Sequence, residues 1–156
     1  MKLHMRINLE LIADQISVAH KVNAFPIALQ AELLLESYRG TTDWEEGATQ
    51  EDAIAEIEGT INGVNGKFVG EASGILQDEL NKPISAIYCS IFDGEPFVVY
   101  VFTHPQYLGK GLASKLLAFS SDAFLRMGYS TLHLYVSDNN PAVQLYKKLG
   151  FTVVEN

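Results

Sequence analysis

The stretch QYLGKGLA, residues 106–113, decides how this chain is expected to fold. It follows the apolar run from Phe97 to Phe102 and opens a helical periodicity that continues to Met127. Glycines let the backbone approach a ligand closely, and the unpaired amides at a helix start attract phosphate groups. The spacing matches neither the G-x-G-x-x-G dinucleotide pattern nor the P-loop pattern. The stretch therefore predicts an anion-binding turn, although glycine-rich helix starts also occur as ordinary structural turns.

A second stretch, NNPAVQLYKKLGF, occupies residues 139–151 and predicts a short helix from Pro141 to Leu149. Asn140 is expected to cap its start and Gly150 to end it. The residues expected to face the core are Ala142, Leu145 and Leu149. Tyr146 then lies at the rim of the core as an amphipathic residue. Its hydroxyl is also a candidate general acid, provided that it reaches a leaving group.

Strand-like runs flank these two stretches. They are Phe68 to Leu76, Ile84 to Phe92, Phe97 to Phe102, Thr131 to Val136, and a last strand that begins at Phe151. Asp93-Gly94 predicts a hairpin between the second and third runs. The run from Phe68 to Leu76 is expected to be one strand of the same set.

The N-terminal part predicts one strand followed by helices. Residues 2–8 alternate as in a half-buried strand, and Leu9 to Val22 follows helical spacing. A second helix is expected from Pro26 to Gly40, then a loop to Gly47. Thr49 is expected to cap a third helix that ends near Gly63. The whole order predicts a mixed α/β domain with helices packed on a central sheet.

Charge is distributed unevenly along the chain, whose net charge is −8. Residues 1–96 contain 6 Lys/Arg and 16 Asp/Glu (net −10), whereas residues 97–156 contain 5 and 3 (net +2). The acidic part argues against a nucleic-acid partner, because phosphate binding needs a basic surface. It is compatible with a cationic substrate, and equally with acidic residues that only keep the protein in solution.

Composition also bears on location. The apolar runs are strand-sized and too short to span a bilayer, so no membrane segment is predicted. The first 15 residues lack the apolar stretch of a signal peptide. The one cysteine, Cys89, excludes an intrachain disulfide and is expected to be a small buried residue of a strand. Together these features predict a cytoplasmic protein.

The two stretches in register carry a resemblance to a known family. The order strand, Q-x-x-G-x-G, helix, strand, N-x-x-A-x-x-L-Y-x-K-x-G-F resembles the GNAT superfamily of N-acetyltransferases over residues 97–151. The segment 31–58 is similar to uncharacterised bacterial members. The resemblance implies the GNAT fold: a central, mixed, mostly antiparallel sheet flanked by helices, with two splayed strands forming the coenzyme A cleft. It also implies a single domain, residues 1–156, with the acceptor side at about 9–65.

The resemblance implies acetyl transfer from acetyl-coenzyme A (acetyl-CoA) to a primary amine by direct attack within a ternary complex. Tyr146 matches the tyrosine that protonates the departing thiolate, and Glu95 lies where some relatives keep a glutamate base. Asn139 matches an asparagine beside the pantetheine arm. The full set of cofactor-binding residues implied is Val99, Tyr100, Val101, Phe102, Thr103, Gln106, Leu108, Gly109, Lys110, Gly111, Leu112, Ala113, Asn139, Ala142 and Tyr146.

The chain departs from the family pattern in three respects. Leu108 replaces a residue that is often basic or polar, so phosphate binding is expected to rely on backbone amides and on Lys110. The chain ends at Asn156, where relatives add a strand, which predicts a sheet that is shorter or is completed by a partner in a homodimer. No general base is evident; the candidates, each of which also fits a solvated polar residue, are Glu95, His104 and Glu71.

The remaining histidines are predicted to have structural roles. His133 alternates with Leu132 and Leu134, so it is expected to set a strand face. The four histidines lack the spacing of metal ligands, and no metal is predicted. The acceptor pocket is expected to lie between the N-terminal helices and the loop around Trp44. Glu45 and Glu46 are available there for a cationic group, or form a solvated loop.

Two other functions fit parts of the sequence. The first is an acyl-CoA-binding regulatory module that kept the fold and lost the chemistry, which the absent base and Leu108 allow. The second is a nucleotide-binding protein that uses the helix start at Gly109 to Gly111, which the lack of magnesium and ribose ligands disfavours. The acceptor itself, whether polyamine, aminoglycoside, amino acid, peptide N-terminus or protein lysine, is left open.

Overall fold

The computed structural model describes residues 1–11, 18–39, 41 and 46–155, with the side chain of residue 11 excluded. Within these residues, seven strands form one mostly antiparallel sheet, and four α-helices flank it. The strands are β1 (Lys2–Asn8), β2 (Lys67–Phe68), β3 (Gly74–Gln77), β4 (Pro83–Phe92), β5 (Glu95–Thr103), β6 (Thr131–Ser137) and β7 (Thr152–Val153). The helices are α1 (Ile27–Tyr38), α2 (Gln50–Ile61), α3 (Leu112–Arg126) and α4 (Ala142–Leu149).

The strand order is β2-β4-β5-β6-β1-β7, and β3 pairs with the same edge of β4 as β2. Only β5 and β6 run parallel; every other described pairing is antiparallel. The mixed α/β class and the mostly antiparallel sheet are therefore confirmed.

Local signals in the sequence account for most element ends. Thr49 caps α2 through a reciprocal pair: its Oγ1 accepts from the Asp52 amide at 3.2 Å, and its own amide donates to Asp52 Oδ2 at 2.9 Å. Asp93 and Gly94 adopt φ of 51° and 77°, so both central residues of the β4–β5 hairpin lie at positive φ. That is the conformation of a type I′ turn, as the Asp-Gly pair predicts.

The sheet is covered on both faces. Alternate residues of β4 enter different core clusters, as the two-residue period of a strand requires. Ile87 and Cys89 pack with α3 and α4, whereas Ala86 and Tyr88 pack with α1 and α2. Eight consecutive residues of β4 are buried, so β4 is the centre of the fold.

A buried glutamine fixes α1 to the sheet. Gln30 is 1% exposed, and its Nε2 donates to the carbonyl oxygens of Val22 and Phe25 at 3.0 and 2.9 Å. Its Oε1 accepts from the Tyr88 hydroxyl. Because an unpaired amide is costly in a core, these three bonds specify where α1 lies.

The edge of β6 is completed by the chain itself. β1 pairs with β6 over seven residues, from Lys2 opposite Ser137 to Asn8 opposite Thr131. β7 then pairs with β1, with Met5 opposite Val153. The N-terminal strand β1 thus lies between β6 and the short last strand β7, which forms this edge of the sheet.

Two predicted elements differ in the structure. Of the helix expected over residues 9–22, residues 12–17 lie outside the described residues, Leu9–Leu11 is a short 3-10 helix, and His20 forms a β-bridge with Ile75 instead. The strand expected over residues 68–76 is split into β2 and β3 by the 3-10 helix Gly70–Ala72. A Cβ at Gly74 would lie 2.6 Å from Ala19 Cβ, so the chain around residue 20 packs directly on β3. The apolar spacing of residues 18–22 predicts a helix, but the bridge between His20 and Ile75 holds the chain around residue 20 in an extended conformation instead.

Candidate active site

A cleft opens where β5 and β6 diverge. The two strands pair only at Phe97 with His133 and Val98 with Leu134. At that point the register of β4 with β5 shifts between Tyr88 and Cys89, which leaves Val99 as the extra residue of a β-bulge. Bulges bend and twist a strand locally. The bend directs the rest of β5 away from β6 and produces a cleft of about 1210 Å³.

The cleft has three walls. The first is the diverging part of β5, with Val99, Tyr100, Val101, Phe102 and Thr103. The second is formed by β6 and α4 and includes Tyr135, Ala142 and Tyr146. The third comes from α1, α2 and the turn before α2, with Tyr38, Glu46, Asp52 and Glu56. The structure therefore brings the predicted cofactor strand and the predicted acceptor helices to one cavity.

The glycine stretch forms the turn that leads into α3. Gly109 and Gly111 both have φ of 77°, in the left-handed region that glycine adopts without steric cost. Gly111 is the N-cap of α3 and supplies no side-chain hydrogen bond to the first turn. The amides of that turn therefore stay available, because an α-helix leaves its first N–H groups without intrahelical partners. Leu108 and Ala113, at either side of the turn, line the cleft.

Tyr146, the aromatic residue of α4, is buried. Its side chain is 7% exposed, its ring packs on Phe151 at 5.7 Å between centroids, and it lines the cleft. Burial raises the pKa of Tyr146 to about 12. The hydroxyl therefore keeps its proton throughout the neutral range, as a proton donor must.

The buried face of α4 differs from the predicted one. Val143 and Tyr146 are buried. Of the predicted core residues, Ala142 and Leu149 are half-buried and pack against the core, whereas Leu145 is half-buried and lines the cleft. Ala142 also lines the cleft. The sequence pattern marks these positions as apolar but does not distinguish a core from the wall of a cavity. Asn140 Oδ1 accepts from the Ala142 amide at 2.9 Å, as a cap should.

Some predicted cofactor residues lie beside the cleft and do not line it. Asn139 is exposed, and the neighbouring Asn140 contributes to the lining instead. The other predicted cofactor residues that do not line the cleft are all on the glycine turn or its flanks: Gln106, Gly109, Lys110, Gly111 and Leu112. Lys110 lies over the Tyr107 ring at 5.5 Å.

The three candidate bases lie in different places. Glu95 is half-exposed at the start of β5, outside the cleft lining, with its Oε2 3.5 Å from His133 Nε2. Glu71 is exposed on the 3-10 helix between β2 and β3 and borders a different cavity. His104 has both ring nitrogens engaged: Nδ1 accepts from the Gln106 amide at 3.1 Å, and Nε2 lies 2.8 Å from Glu36 Oε2. It cannot accept a further proton without breaking the first of these contacts.

Two carboxylates in the cleft, Asp52 and Glu56, were not found by sequence reasoning. Glu56 of α2 accepts from the Tyr100 hydroxyl of β5 at 2.5 Å, next to the bulge at Val99. Burial, and then the hydrogen bond to Glu56, raise the pKa of Tyr100. The helical spacing in residues 50–61 gives Glu56 a solvent-facing position, so no local signal pointed to it. Of the acidic loop residues predicted for the acceptor pocket, Glu46 lines the cleft, whereas Trp44 and Glu45 lie outside the described residues.

Comparisons with known proteins agree with this geometry. Residues 30–151 match the family model described as the acetyltransferase (GNAT) family. A segment of 63 residues is 38% identical to a mycothiol acetyltransferase of Corynebacterium aurimucosum, covering 40% of this chain and 20% of that protein.

Solved structures share the fold at low sequence identity. A GCN5-related N-acetyltransferase of Sphaerobacter thermophilus superposes with a TM-score of 0.69 at 17% identity, over 98% of this chain and 48% of that one. A chain of the NatC complex bound to Gag peptide and CoA gives a TM-score of 0.65 at 19% identity, over 90% of this chain and 87% of that one.

The chain thus spans about a fifth of the mycothiol acetyltransferase and about half of the Sphaerobacter protein. The family model, in contrast, covers most of this chain and includes the three walls of the cleft. No helix among the described residues has the length and apolarity that a membrane crossing needs. The chain belongs to the acetyltransferase (GNAT) family, a family of N-acetyltransferase enzymes.

Proposed function

We propose that this protein transfers an acetyl group from acetyl-CoA to a primary amine. The observation that carries the proposal is the cleft between the splayed ends of β5 and β6. On one side it meets the uncapped start of α3 and the buried Tyr146; on the other it meets the acidic wall of α1 and α2. A cofactor and an amine can therefore meet in one cavity, which converts a bimolecular reaction into an effectively unimolecular one.

The residues at the cleft fit acetyl-CoA, which when bound supplies an activated acetyl thioester. The free amides after Gly111 suit a pyrophosphate, because the helix start concentrates positive potential there. The side of β5 that leaves β6 after Val98 offers backbone groups for an extended amide-containing arm. Tyr146 stands on the opposite wall as the proton donor to a departing thiolate.

The acceptor is a cationic amine under this proposal. Glu46, Asp52 and Glu56 line the α1–α2 wall, and Asp52 also belongs to the cap of α2. These carboxylates favour the approach of a positively charged molecule. We further propose that the transferred acyl group is acetyl, that the protein is cytoplasmic and that it forms a homodimer. These three proposals rest on the sequence pattern and the resemblance.

A melting-temperature titration with acetyl-CoA tests the proposal. At about 100 times its dissociation constant, a ligand stabilises a fold by roughly 2.7 kcal/mol, which is readily measured. We expect a saturable rise with acetyl-CoA and none with adenosine triphosphate. A rise with both nucleotides would favour a nucleotide-binding protein, and no rise at millimolar acetyl-CoA would contradict the proposal.

Turnover is tested separately by release of free thiol from acetyl-CoA with a panel of primary amines. Release with at least one amine is expected. Saturable binding without release from any amine would identify an acyl-CoA-binding module instead.

A further inference from the structure

A group of rings and polar side chains lies on the sheet surface next to the point where β5 and β6 separate. It consists of His4 of β1, His133 and Tyr135 of β6, and Phe97 and Glu95 of β5. The register places His4 opposite Tyr135 and Phe97 beside His133. Tyr135 lines the cleft, and its ring stacks on His4 at 4.7 Å between centroids. Lys2, two residues before His4 on β1, lines the cleft as well.

The polar atoms of this group form one continuous chain of contacts. His4 Nε2 and His133 Nδ1 are 2.9 Å apart. His133 Nε2 lies 3.5 Å from Glu95 Oε2 and 3.3 Å from Thr131 Oγ1. The Thr131 hydroxyl donates to the same Glu95 oxygen at 3.1 Å. His133 is 8% exposed, so its ring is held between these partners and the stacked Phe97.

The acceptors determine where the protons are. Because both near partners of His133 Nε2 are oxygens, one of them an ionised carboxylate, this nitrogen carries a proton and donates it. In the neutral ring, Nδ1 of His133 is then an acceptor, so His4 Nε2 must be the donor of the 2.9 Å bond. Neutral His4 therefore presents Nδ1 as an unprotonated, basic nitrogen.

We propose that His4, His133 and Glu95 form the relay that removes the proton from the acceptor amine, with His4 Nδ1 as the entry. The inference rests on the proposed acetyl transfer and supplies its missing base. His4 lies behind Tyr135, which lines the cleft, and reaches the amine through one water at the cleft edge. His133 and Glu95 act through His4 and are positioning residues.

Each proton in the relay has a donor and an acceptor. The acceptor binds as an ammonium ion, loses one proton to His4 Nδ1 and attacks the acetyl carbon with the lone pair that this frees. The second proton that the nitrogen loses as the amide forms balances the proton that Tyr146 gives to the departing thiolate. His4 Nε2–H passes to His133 Nδ1, and His133 Nε2–H passes to Glu95 Oε2. Glu95 is half-exposed and releases the proton to water. The rings return to their starting tautomers by exchange with solvent, and the relay is neither oxidised nor reduced.

The charges around the relay keep the rings neutral and ready to accept a proton. Burial, and then the charge of Arg6, lower the pKa of His4. The pKa of His133 is lowered chiefly by burial, to a smaller extent by His4, and least by Arg6. The Glu95 carboxylate acts in the opposite direction and raises it. Lys2 lies on the same face of β1, and the Tyr135 hydroxyl group belongs to the ring stacked on His4.

The arrangement is not that of a metal site. Within the described ranges, no three His, Cys, Asp or Glu side chains are placed to hold a metal ion. The two imidazole nitrogens that face each other are joined by a hydrogen bond and leave no room for an ion between them.

The kinetic test compares pH profiles of kcat/KM, measured by thiol release with the most active amine of the panel. His133→Asn keeps a polar atom near His4 but cannot pass a proton on. We expect it to lower kcat/KM by about 10²-fold, the usual contribution of a general base. His20→Asn, which replaces a histidine outside the relay, is the matched control and should leave the profile unchanged.

Variants that remove a charge near the relay should shift the pH profile, which they would not do if these residues only stabilised the fold. Glu95→Gln removes the charge that raises the pKa of His133, so the acid limb of the profile should move to lower pH. Arg6→Gln removes a charge that lowers the pKa of both rings, so the limb should move to higher pH. Glu79→Gln, at an exposed carboxylate outside the group, should move it in neither direction.

NMR titration of the histidines tests the relay without turnover, and therefore independently of the proposed acetyl transfer. Histidine Cε1 proton resonances, assigned with single His→Asn variants, report the ring pKa values in the full chain. We expect His4→Asn to raise the pKa of His133 and Glu95→Gln to lower it. Independent titration of the two rings would overturn the relay, as would an unchanged pH profile in active His133→Asn. Absence of thiol release from the wild type with every amine would overturn the proposed function, and the relay with it.

Discussion

Tyr146 combines two properties at the scale of a single residue. It is buried in the core against Phe151 and also lines the cleft. Its place in the N-x-x-A-x-x-L-Y pattern is evident from the sequence, but its burial is not. The helical spacing of apolar residues predicts that Ala142, Leu145 and Leu149 face the core and places Tyr146 at its rim. Burial raises the pKa of Tyr146 above the ordinary value for a tyrosine, so the hydroxyl keeps its proton well into the alkaline range.

Tyr146→Phe is expected to lower kcat by about 10²-fold, because it removes the proton donor while keeping the ring in place. The dissociation constant of acetyl-CoA, measured by calorimetry, should change little. The wild type should show no alkaline limb from this group until pH approaches 12. Tyr129→Phe alters a tyrosine packed on Phe124 and is the control for loss of a hydroxyl. Unchanged turnover of Tyr146→Phe across pH would exclude the acid role.

At the scale of an element, the two ends of α3 offer a matched pair of glycines. Gly111 precedes the helix with φ of 77°, and Gly128 follows it with φ of 96°. A Cβ at either position would meet no atom within 4 Å, so a substitution introduces backbone strain and no clash. Only Gly111 adjoins the cleft, through Leu108 and Ala113.

Gly111→Ala and Gly128→Ala should each destabilise the fold by about 1–2 kcal/mol, since alanine resists the left-handed region. Thermal unfolding measures this loss. Only Gly111→Ala is expected to weaken acetyl-CoA binding, by roughly tenfold or about 1.4 kcal/mol, because the strain shifts the amides that receive the pyrophosphate. Equal effects of the two variants on affinity would show that the turn has no direct part in binding.

At the scale of the whole molecule, the N-terminal strand joins the two halves of the chain. β1 lies between β6 and β7, and its Met5 and Ile7 enter the core formed with α3 and α4. The same strand carries His4 on its other face, next to the cleft. Stability and the proposed relay therefore depend on one pairing between the first and last parts of the chain.

Ile7→Ala should lower the free energy of unfolding by 2–5 kcal/mol, roughly the cost of truncating a fully buried side chain. Denaturant titration measures the difference. Leu80→Ala removes as many carbon atoms from a side chain that is 87% exposed, and it should change stability by less than about 0.5 kcal/mol. Similar effects of the two variants would mean that β1 contributes little to the core.

The sequence by itself determined the features that depend on neighbouring residues. Positive φ at the glycines, the capped start of α2, the Asp93-Gly94 turn and the position of Tyr146 on α4 all follow from local backbone preferences. These features were enough to recognise the family and the class of fold.

Only the tertiary structure decided which distant residues meet. His4 and His133 are 129 positions apart, and Glu56 and Tyr100 are 44 apart, yet each pair is joined by a hydrogen bond. The insertion of β1 beside β6 and the bulge at Val99 likewise depend on strand register. Side-chain patterns specify which face of an element is apolar, but the pairing of elements is set by the packing of the entire core, and that pairing places His4 against His133.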